Sequence, residues 1–482
     1  MAAHLPKEAA AHDLVVVGLG PKAAAVCAKA AAVRELGLGA PRVLVVEQHD
    51  PAAHWGGAHG FTTGTEHLGT RPEKDVGFPY ASAAAFGPRA AELDRLMTRY
   101  SWQAFLTATG RLGDWVDRGC PAPEHRLFGS YLAWVVRSCG DAVEVVRARV
   151  TALDVVDGEW LVHTTGPASA GHATGRASTG AVRSRAVLVT GPGVPRRLGP
   201  TSFTHPRLVD AGVHRPELAR LLGERPCARV AVIGGGESAA SLALYVHGLV
   251  PDARLELFAP GGLRVRDESD DVNRRYTAGS GTDWAALTEG DRRTFISRTD
   301  RGVVSPALSQ RLAEAVGGRV HRAAIRSVSA VDGGAGTDGA LELHGDAGSL
   351  GRFDLVLNAT GFDPWQQIDG LLTPGARALL TGGADDSFDL AAAQRRIGPN
   401  LRFDGPAPAL YAPALAGVTQ GPGFANLSCL GHLSDLVVGN VLASRAAEPP
   451  AAAVPGGRSP ARHHHVVAPA RAPRKEVAHA QA

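Results

Sequence analysis

Twice in this sequence a short apolar run breaks into glycines and resumes as an alanine-rich stretch. The first begins at Asp13 to Gly18, turns through Gly18-Leu19-Gly20-Pro21-Lys22-Ala23, continues from about Pro21 to Val33 and leads to the apolar run Arg42 to Val46. The second begins at Arg229 to Ile233, turns through Gly234-Gly235-Gly236-Glu237-Ser238-Ala239-Ala240 and leads to Arg254 to Phe258. Strand, glycine turn, helix and strand in that order form a β-α-β unit. The glycines permit the tight turn and a close approach of the backbone to a ligand. The helix start behind them offers unpaired N–H groups and a positive dipole end, which is what a dinucleotide pyrophosphate needs. The expected fold is α/β, with two dinucleotide-binding Rossmann-like domains.

The two units differ in what closes them. In the first, Glu47 stands 29 residues after Gly18. A carboxylate there can hydrogen-bond a ribose hydroxyl and would repel a 2′-phosphate, which suits the adenosine of FAD. Gly18, Gly20, Pro21, Lys22 and Glu47 are therefore assigned to FAD. In the second, Phe258 runs on into Ala259-Pro260 without an acid, and Arg264 and Arg266 follow. Guanidinium groups pair with phosphate, which favours NADPH over NADH; Gly234, Gly236, Glu237, Ser238 and Arg264 are assigned to it.

Two more strand ends, Val189-Thr190-Gly191-Pro192-Gly193 and Asn358-Ala359-Thr360-Gly361-Phe362, carry small residues where the chain would pass between the units. They make the NADPH domain an insertion in the FAD domain. The expected division is a disordered tail over 1–12, the first part of the FAD domain over 13–199, the NADPH domain over 200–352, the second part of the FAD domain with substrate contacts over 353–445, and a disordered tail over 446–482. Gly166 to Gly180 and Gly333 to Gly339 read as surface turns, and Leu430 to Ala443 as a helix.

A flavin and a nicotinamide together imply hydride transfer. The five cysteines are scattered and no two have C-x-x-C spacing, which disfavours a disulfide reductase and a zinc site. A monooxygenase, an oxidase or reductase, and a flavoprotein with another acceptor stay open. A formal charge of +3 gives no general pull towards nucleic acid or anionic membrane. The apolar runs fall far short of the roughly 20 residues of a membrane span, and the N-terminus lacks an apolar signal segment, so a cytoplasmic protein is expected. His463 to His465 could bind a metal, but a solvated tail is the simpler reading and no metal is assigned.

Longer stretches carry a resemblance. They are His67-Leu-Gly-Thr-Arg-Pro-Glu-Lys-Asp-Val-Gly-Phe-Pro-Tyr80, Met97-Thr-Arg-Tyr-Ser-Trp102, Thr282-Asp-Trp-Ala-Ala-Leu287, Thr299-Asp-Arg-Gly-Val303 and Thr419-Gln-Gly-Pro-Gly-Phe-Ala-Asn-Leu-Ser-Cys-Leu-Gly431, besides the second glycine turn. From about Asp13 to Leu442 the sequence resembles the siderophore N-hydroxylating flavin monooxygenases, and among them the lysine N6-hydroxylases of mycobactin- and nocobactin-type pathways. The resemblance implies NADPH- and O₂-dependent N6-hydroxylation of L-lysine through a C4a-hydroperoxyflavin, for a hydroxamate siderophore, by an enzyme that often forms homo-oligomers. It assigns the substrate carboxylate to Lys74 and its backbone end to Asn273. Trp55, Leu68, Thr360, Gly361 and Asn426 are placed at the flavin.

Asp300-Arg301-Gly302 stands where many relatives have Asn-Tyr-Ser, a departure shared by the mycobactin-type members. Asp300 either faces the substrate amine or is structural. Ser434, with Asn426 and Ser428, is a candidate for the serine that relatives place near substrate and flavin. No residue is assigned a covalent catalytic role. The alternatives are N-hydroxylation of ornithine or another primary amine and, in a different class, a non-catalytic FAD-binding protein. Phe203-Thr-His205 lacks the glycine of the F-x-G-x-x-x-H stretch usual in Baeyer–Villiger and sulfur-oxidising groups.

Overall fold

The computed structural model describes residues 11–57, 59–60, 62–166, 179–198, 203–213, 215–224, 227–277, 281–331, 339–383 and 388–447. Most of the expected surface turn at Gly166 to Gly180, nearly all of that at Gly333 to Gly339, and the C-terminal tail with His463 to His465 lie outside the described residues.

The strand Leu14–Val17 is apolar throughout, so it cannot sit at a wet edge. It lies in the middle of a parallel sheet ordered Ala409–Tyr411, Ala186–Val189, Leu14–Val17, Val43–Glu47, Val143–Arg147. The helix Pro21–Glu35 opens with proline at its first turn, where the missing N–H costs nothing. Its alanines let neighbours approach closely, and every residue from Lys22 to Val33 is buried. It packs against the helices His125–Ser138 and Leu430–Ala446. The last of these runs three residues beyond the expected end at Ala443. At the other end of the chain, His12, expected in the tail, pairs with Ser184 beside the first sheet.

The second sheet is also parallel, ordered Val320–His321, Arg254–Phe258, Arg229–Ile233, Leu355–Asn358, Leu208–Asp210. The strand Leu355–Asn358 pairs in register with Val230 to Ile233, so the expected boundary at 352/353 comes too early. A fully buried four-residue run carries no mark of which sheet it joins. The crossing itself is a small antiparallel ribbon in which Val194 faces Asp363 and Pro195 faces Phe362. Gly193 (φ +114°) is forced there, since a Cβ would stand 2.2 Å from the Asp363 carbonyl carbon. One unit is thus inserted in the other through two adjacent strand ends.

A buried charge cluster ties the first helix to the last. Lys29 Nζ, 1% exposed, pairs with Asp435 and donates to Ser82 Oγ at 2.9 Å. The Ser82 hydroxyl stands 2.8 Å from Asp435 and 2.7 Å from Asp94, and its single proton serves one of them. Removing one partner of a buried pair leaves an uncompensated charge. Asp435→Ala is expected to lower unfolding stability by about 3–5 kcal/mol, measured by denaturant titration. A loss below about 1 kcal/mol, the scale of an exposed pair, would show that the cluster is not sealed from water.

Candidate functional site

Gly18 (φ +89°) begins the first turn, and a Cβ on it would stand 3.0 Å from Thr190 Oγ1. The Thr190 hydroxyl donates to Val17 O at 2.9 Å. Gly20 is the N-cap of the helix Pro21–Glu35, with extended backbone and no side chain capping the first turn. A Cβ at Gly20 would meet nothing within 4 Å. The turn is therefore open, and its donors are not consumed by a capping side chain. Glu47 accepts from Leu19 N at 2.7 Å through Oε2 and from His49 N at 2.9 Å through Oε1. It braces the turn from below, and a carboxylate with about four acceptor sites keeps capacity for a diol.

Trp55 and Leu68 are held by one neighbouring segment. Trp55 sits edge-on to Phe128 (5.2 Å) and His125 (4.8 Å), and Gly129 has no side chain to block it, a Cβ there lying 3.1 Å from Trp55 Cβ. Buried Leu68 donates its N–H to Pro123 O at 2.8 Å.

In the second turn Gly234 (φ +137°) presses on the strand end that follows Asn358, for a Cβ would stand 2.2 Å from Ala359 O. Thr360 Oγ1 donates to Asn358 Oδ1 at 2.8 Å, and Asn358 Nδ2 donates to Asp210 and to Arg196 O. The described bonds of Thr360 thus lie on the second unit, and Gly361 (φ +99°) accepts from Arg196 N. The strand end that touches the first turn is the one carrying Thr190. Sequence reasoning assigned Thr360 and Gly361, and not Thr190, to FAD; two similar Thr-Gly strand ends cannot be told apart without the sheets.

Gly236 caps the helix Glu237–Leu249, again without a side-chain cap. Glu237 accepts from Ser305 N at 2.7 Å, and burial raises its carboxyl above the usual range. Ser238 is half-buried beside it. Exposed Arg264 lies over Gly261, where a Cβ would stand 2.6 Å from Nη2. With Gly235, Gly262, Ser297 and Arg301 it lines a cleft at the mouth of the turn. Arg266, read from the sequence as a second phosphate partner, is committed elsewhere. Its Nη2 donates to Gly69 O at 2.9 Å, its Nε to Glu268 at 3.1 Å, and its Nη1 faces Glu237 at 3.8 Å.

Two glycines explain why Thr419 to Gly431 reads as one uninterrupted pattern. A Cβ on Gly423 would stand 2.1 Å from Tyr276 O, and one on Gly431 2.1 Å from Gly77 O. The segment is wedged between the helix Asp270–Tyr276 and the stretch around Lys74 to Tyr80. Here Lys74 Nζ reaches Asn273 Oδ1 at 3.4 Å across 199 positions of sequence. Burial holds the Lys74 ammonium below the usual lysine range.

Nearby, Asn426 Nδ2 lies 3.5 Å from Asp300 Oδ1, and Asp300 pairs with Arg301 at 3.2 Å. Lys22 Nζ donates to Ala425 O at 3.2 Å. Its ammonium is pushed down to about 8 by burial and by Arg301, against the opposing pull of Cys429 and Asp300. Lys74, Asn273, Asp300, Asn426 and Lys22 therefore converge on one loop.

Ser434 does not join them. It is fully buried and its hydroxyl donates to Gly431 O at 2.7 Å, inside the last helix. A helix register unknown from sequence hid this. Cys429, close to both Lys22 and Lys74, was passed over. Its buried thiol is pushed up to about 12 by burial.

The family described as L-lysine 6-monooxygenase/L-ornithine 5-monooxygenase matches residues 96–329. The chain is 39% identical to L-lysine N6-monooxygenase MbtG of Mycobacterium tuberculosis, over 88% of this chain and 94% of that protein. It belongs to that family.

Its fold is close to that of lysine monooxygenase NbtG from Nocardia farcinica, with a TM-score of 0.71 and 34% identity over 88% of this chain and 99% of the other. The ornithine N-hydroxylase KtzI of Kutzneria sp. 744 shares the fold at 21% identity, with a TM-score of 0.67 and coverage of 90% and 100%. Among the described residues no helix is long and apolar enough to cross a membrane, and no group of three or more His, Cys, Asp or Glu side chains could hold a metal ion.

Proposed function

We propose that this protein is an FAD-dependent lysine N6-monooxygenase that takes L-lysine, NADPH, a proton and O₂ to N6-hydroxylysine, NADP⁺ and water, for a hydroxamate siderophore. The carrying observation is the meeting of Lys74 and Asn273 against the loop that also receives Lys22. Relatives named lysine N6-monooxygenases at 39% identity support it.

The residues fit both cofactors. Two helices start behind glycine turns with no side-chain cap. The first turn is braced by an acid, the second is flanked by Arg264 and Arg301. On this reading the FAD domain is built around the first sheet and the NADPH domain around the second, from Leu208 to Asn358. When bound, reduced FAD supplies the centre at which O₂ is activated.

The chain's own residues do the rest. Lys74 offers three N–H donors and a charge to the substrate carboxylate, and Asn273 an amide at the same end. The reacting amine must be neutral, yet a free lysine ammonium titrates near 10.4. A desolvated pocket lowers that value; beside this site Gly423 and Gly431 press the loop against Tyr276 and Gly77. Asp300, near Asn426, is placed to accept a hydrogen from the amine or to hold the loop; a chain that must release a proton needs such an acceptor.

FAD-loaded protein given NADPH and O₂ is expected to form hydroxylamine from lysine and far less from ornithine. NADPH oxidation with peroxide and no hydroxylamine from either amine would overturn the substrate assignment. Lys74→Ala removes a charged hydrogen bond of about 1.5–3 kcal/mol. The KM for lysine should rise roughly 10- to 150-fold with a smaller change in kcat; equal falls in kcat and kcat/KM would place Lys74 in the chemical step instead.

Lys22 yields a pH test. Its ammonium titrates at about 8 in the folded chain, below the ordinary lysine value. The FAD diphosphate stabilises the charged form. FAD affinity is then full below pH 8 and falls as pH rises above it, by up to tenfold per unit. Flavin-fluorescence titrations of apoprotein would show that slope, and Lys22→Met would flatten it. A slope unchanged in Lys22→Met assigns the titration to another group.

A further inference from the structure

The stretch from Glu66 to Lys74 belongs to the first unit, yet the second unit holds it at three points. Ser241 Oγ, one turn into the helix behind the second glycine turn, lies 3.4 Å from Glu66 Oε1. Arg266 Nη2 donates to Gly69 O at 2.9 Å. Asn273 Oδ1 accepts from Lys74. These holds are joined to one another. Asn273 Nδ2 donates to Glu268 O at 2.9 Å, the Glu268 carboxylate takes the Arg266 guanidinium at 3.0 Å, and the same guanidinium faces Glu237 Oε1 at 3.8 Å. Glu237 is the first residue of the helix behind the second turn. A continuous chain of polar contacts therefore runs from the second glycine turn, through Glu237, Arg266, Glu268 and Asn273, to Lys74.

Arg266 is the member of that chain with contacts on both units. It is 21% exposed, enough shielding for its contacts to be directional and little enough for them to rearrange. A guanidinium presents five donors in a fixed fork, so a shift of Glu237 moves the donor aimed at Gly69 as well. An anion arriving at the uncapped helix start competes with the Glu237 carboxylate for that space and alters what Arg266 is paired with.

We propose that Arg266 is a positioning residue that couples nicotinamide-dinucleotide binding at the second turn to amine-substrate binding at Lys74 and Asn273. It touches neither ligand. It sets where the Gly69 carbonyl, and with it the Lys74 end of the stretch, stands when the second turn is filled. This rests on the lysine reading above. Coupling between two sites is reciprocal. NADP⁺ must change the affinity for lysine by the same factor by which lysine changes the affinity for NADP⁺.

The test uses full-length, FAD-loaded, oxidised protein, so that no turnover intervenes. Lysine affinity is measured by calorimetry without and with saturating NADP⁺, and NADP⁺ affinity without and with lysine. Wild type is expected to show a coupling factor of at least about fivefold, equal in both directions. Arg266→Gln should bring that factor close to one, while each ligand alone still binds. Arg266→Lys, which keeps the charge but not the fork, should recover part of it. Glu268→Ala, at a half-exposed side chain, guards against misfolding and should also reduce the factor. Merely structural damage would weaken both ligands and leave their ratio intact. An unchanged factor in both Arg266→Gln and Glu268→Ala overturns the coupling role, as does a wild-type factor of one. Wild-type protein that binds NADP⁺ but not lysine under either condition overturns the lysine reading instead.

Discussion

Both units depend on leaving a helix start unsatisfied. The first four N–H groups of a helix need partners, and most helices supply one from a Ser, Thr, Asp or Asn at the cap. In this chain some helices follow that rule, with Thr373 and Asp389 capping theirs. The two helices behind the glycine turns do not, because Gly20 and Gly236 have nothing to offer. Once those donors are reserved for a ligand, other choices follow. The turn must be held by something other than a cap, and Glu47 does so through Leu19 N and His49 N. The strand ends beside each turn must be small: Thr190 against Gly18 and Ala359 against Gly234. The helices then need stability from elsewhere, which the first gets from all-round burial and from Lys29 on Asp435.

The parts of this design that repeat locally were legible in the sequence. Strand, turn and helix lie within some twenty residues of each other, so Leu14–Val17, Pro21–Glu35 and Arg229–Ile233 were found to within two residues, and the helix Glu237–Leu249 was expected without bounds. Sheet membership was not legible. Leu355–Asn358 is four buried residues whose partners are more than 120 positions away, and only pairing with Val230 to Ile233 assigns it. Nor does the sequence tell which of the two Thr-Gly strand ends, at Thr190 or at Thr360, lies against the first turn; Thr190 does.

In the site, long motifs marked the right segments but not the right atoms. Lys74 and Asn273 do meet, while Ser434, three positions after the wedge glycine Gly431, turns its hydroxyl onto Gly431 O. A helical side chain's direction changes by about 100° per residue, so a motif that fixes the segment leaves the facing residue open. Arg266 failed for a related reason. Charge and proximity to Arg264 suggested phosphate, and residues two apart share a face in a regular strand, but this stretch carries only an isolated bridge at Val265. Outside a regular strand the two side chains part: Arg264 lines the cleft and Arg266 donates to Gly69 O.

The departure at Asp300-Arg301-Gly302 fits this geometry. These residues end the helix Glu289–Thr299 and cross between the two turns. Asp300 is drawn towards Asn426 and, through the field, Lys22. Arg301 lines the cleft by Gly235 and Gly262. Gly302 (φ +75°) passes Gly236, whose added Cβ would come within 3.5 Å of the Gly302 backbone. Asp300 and Arg301 stay paired at 3.2 Å while bridging the two halves of the site, and the glycine lets the backbone pass the second turn. A neutral Asn-Tyr-Ser would carry neither charge and, with a side chain at the third position, would have to hold φ near +75° at a cost of about 1 kcal/mol or more. The three substitutions are therefore one structural unit: the backbone that passes the second turn needs Gly302, and it carries a pair, Asp300 with Arg301 at 3.2 Å, that reaches Asn426 on one side and the cleft by Gly235 on the other.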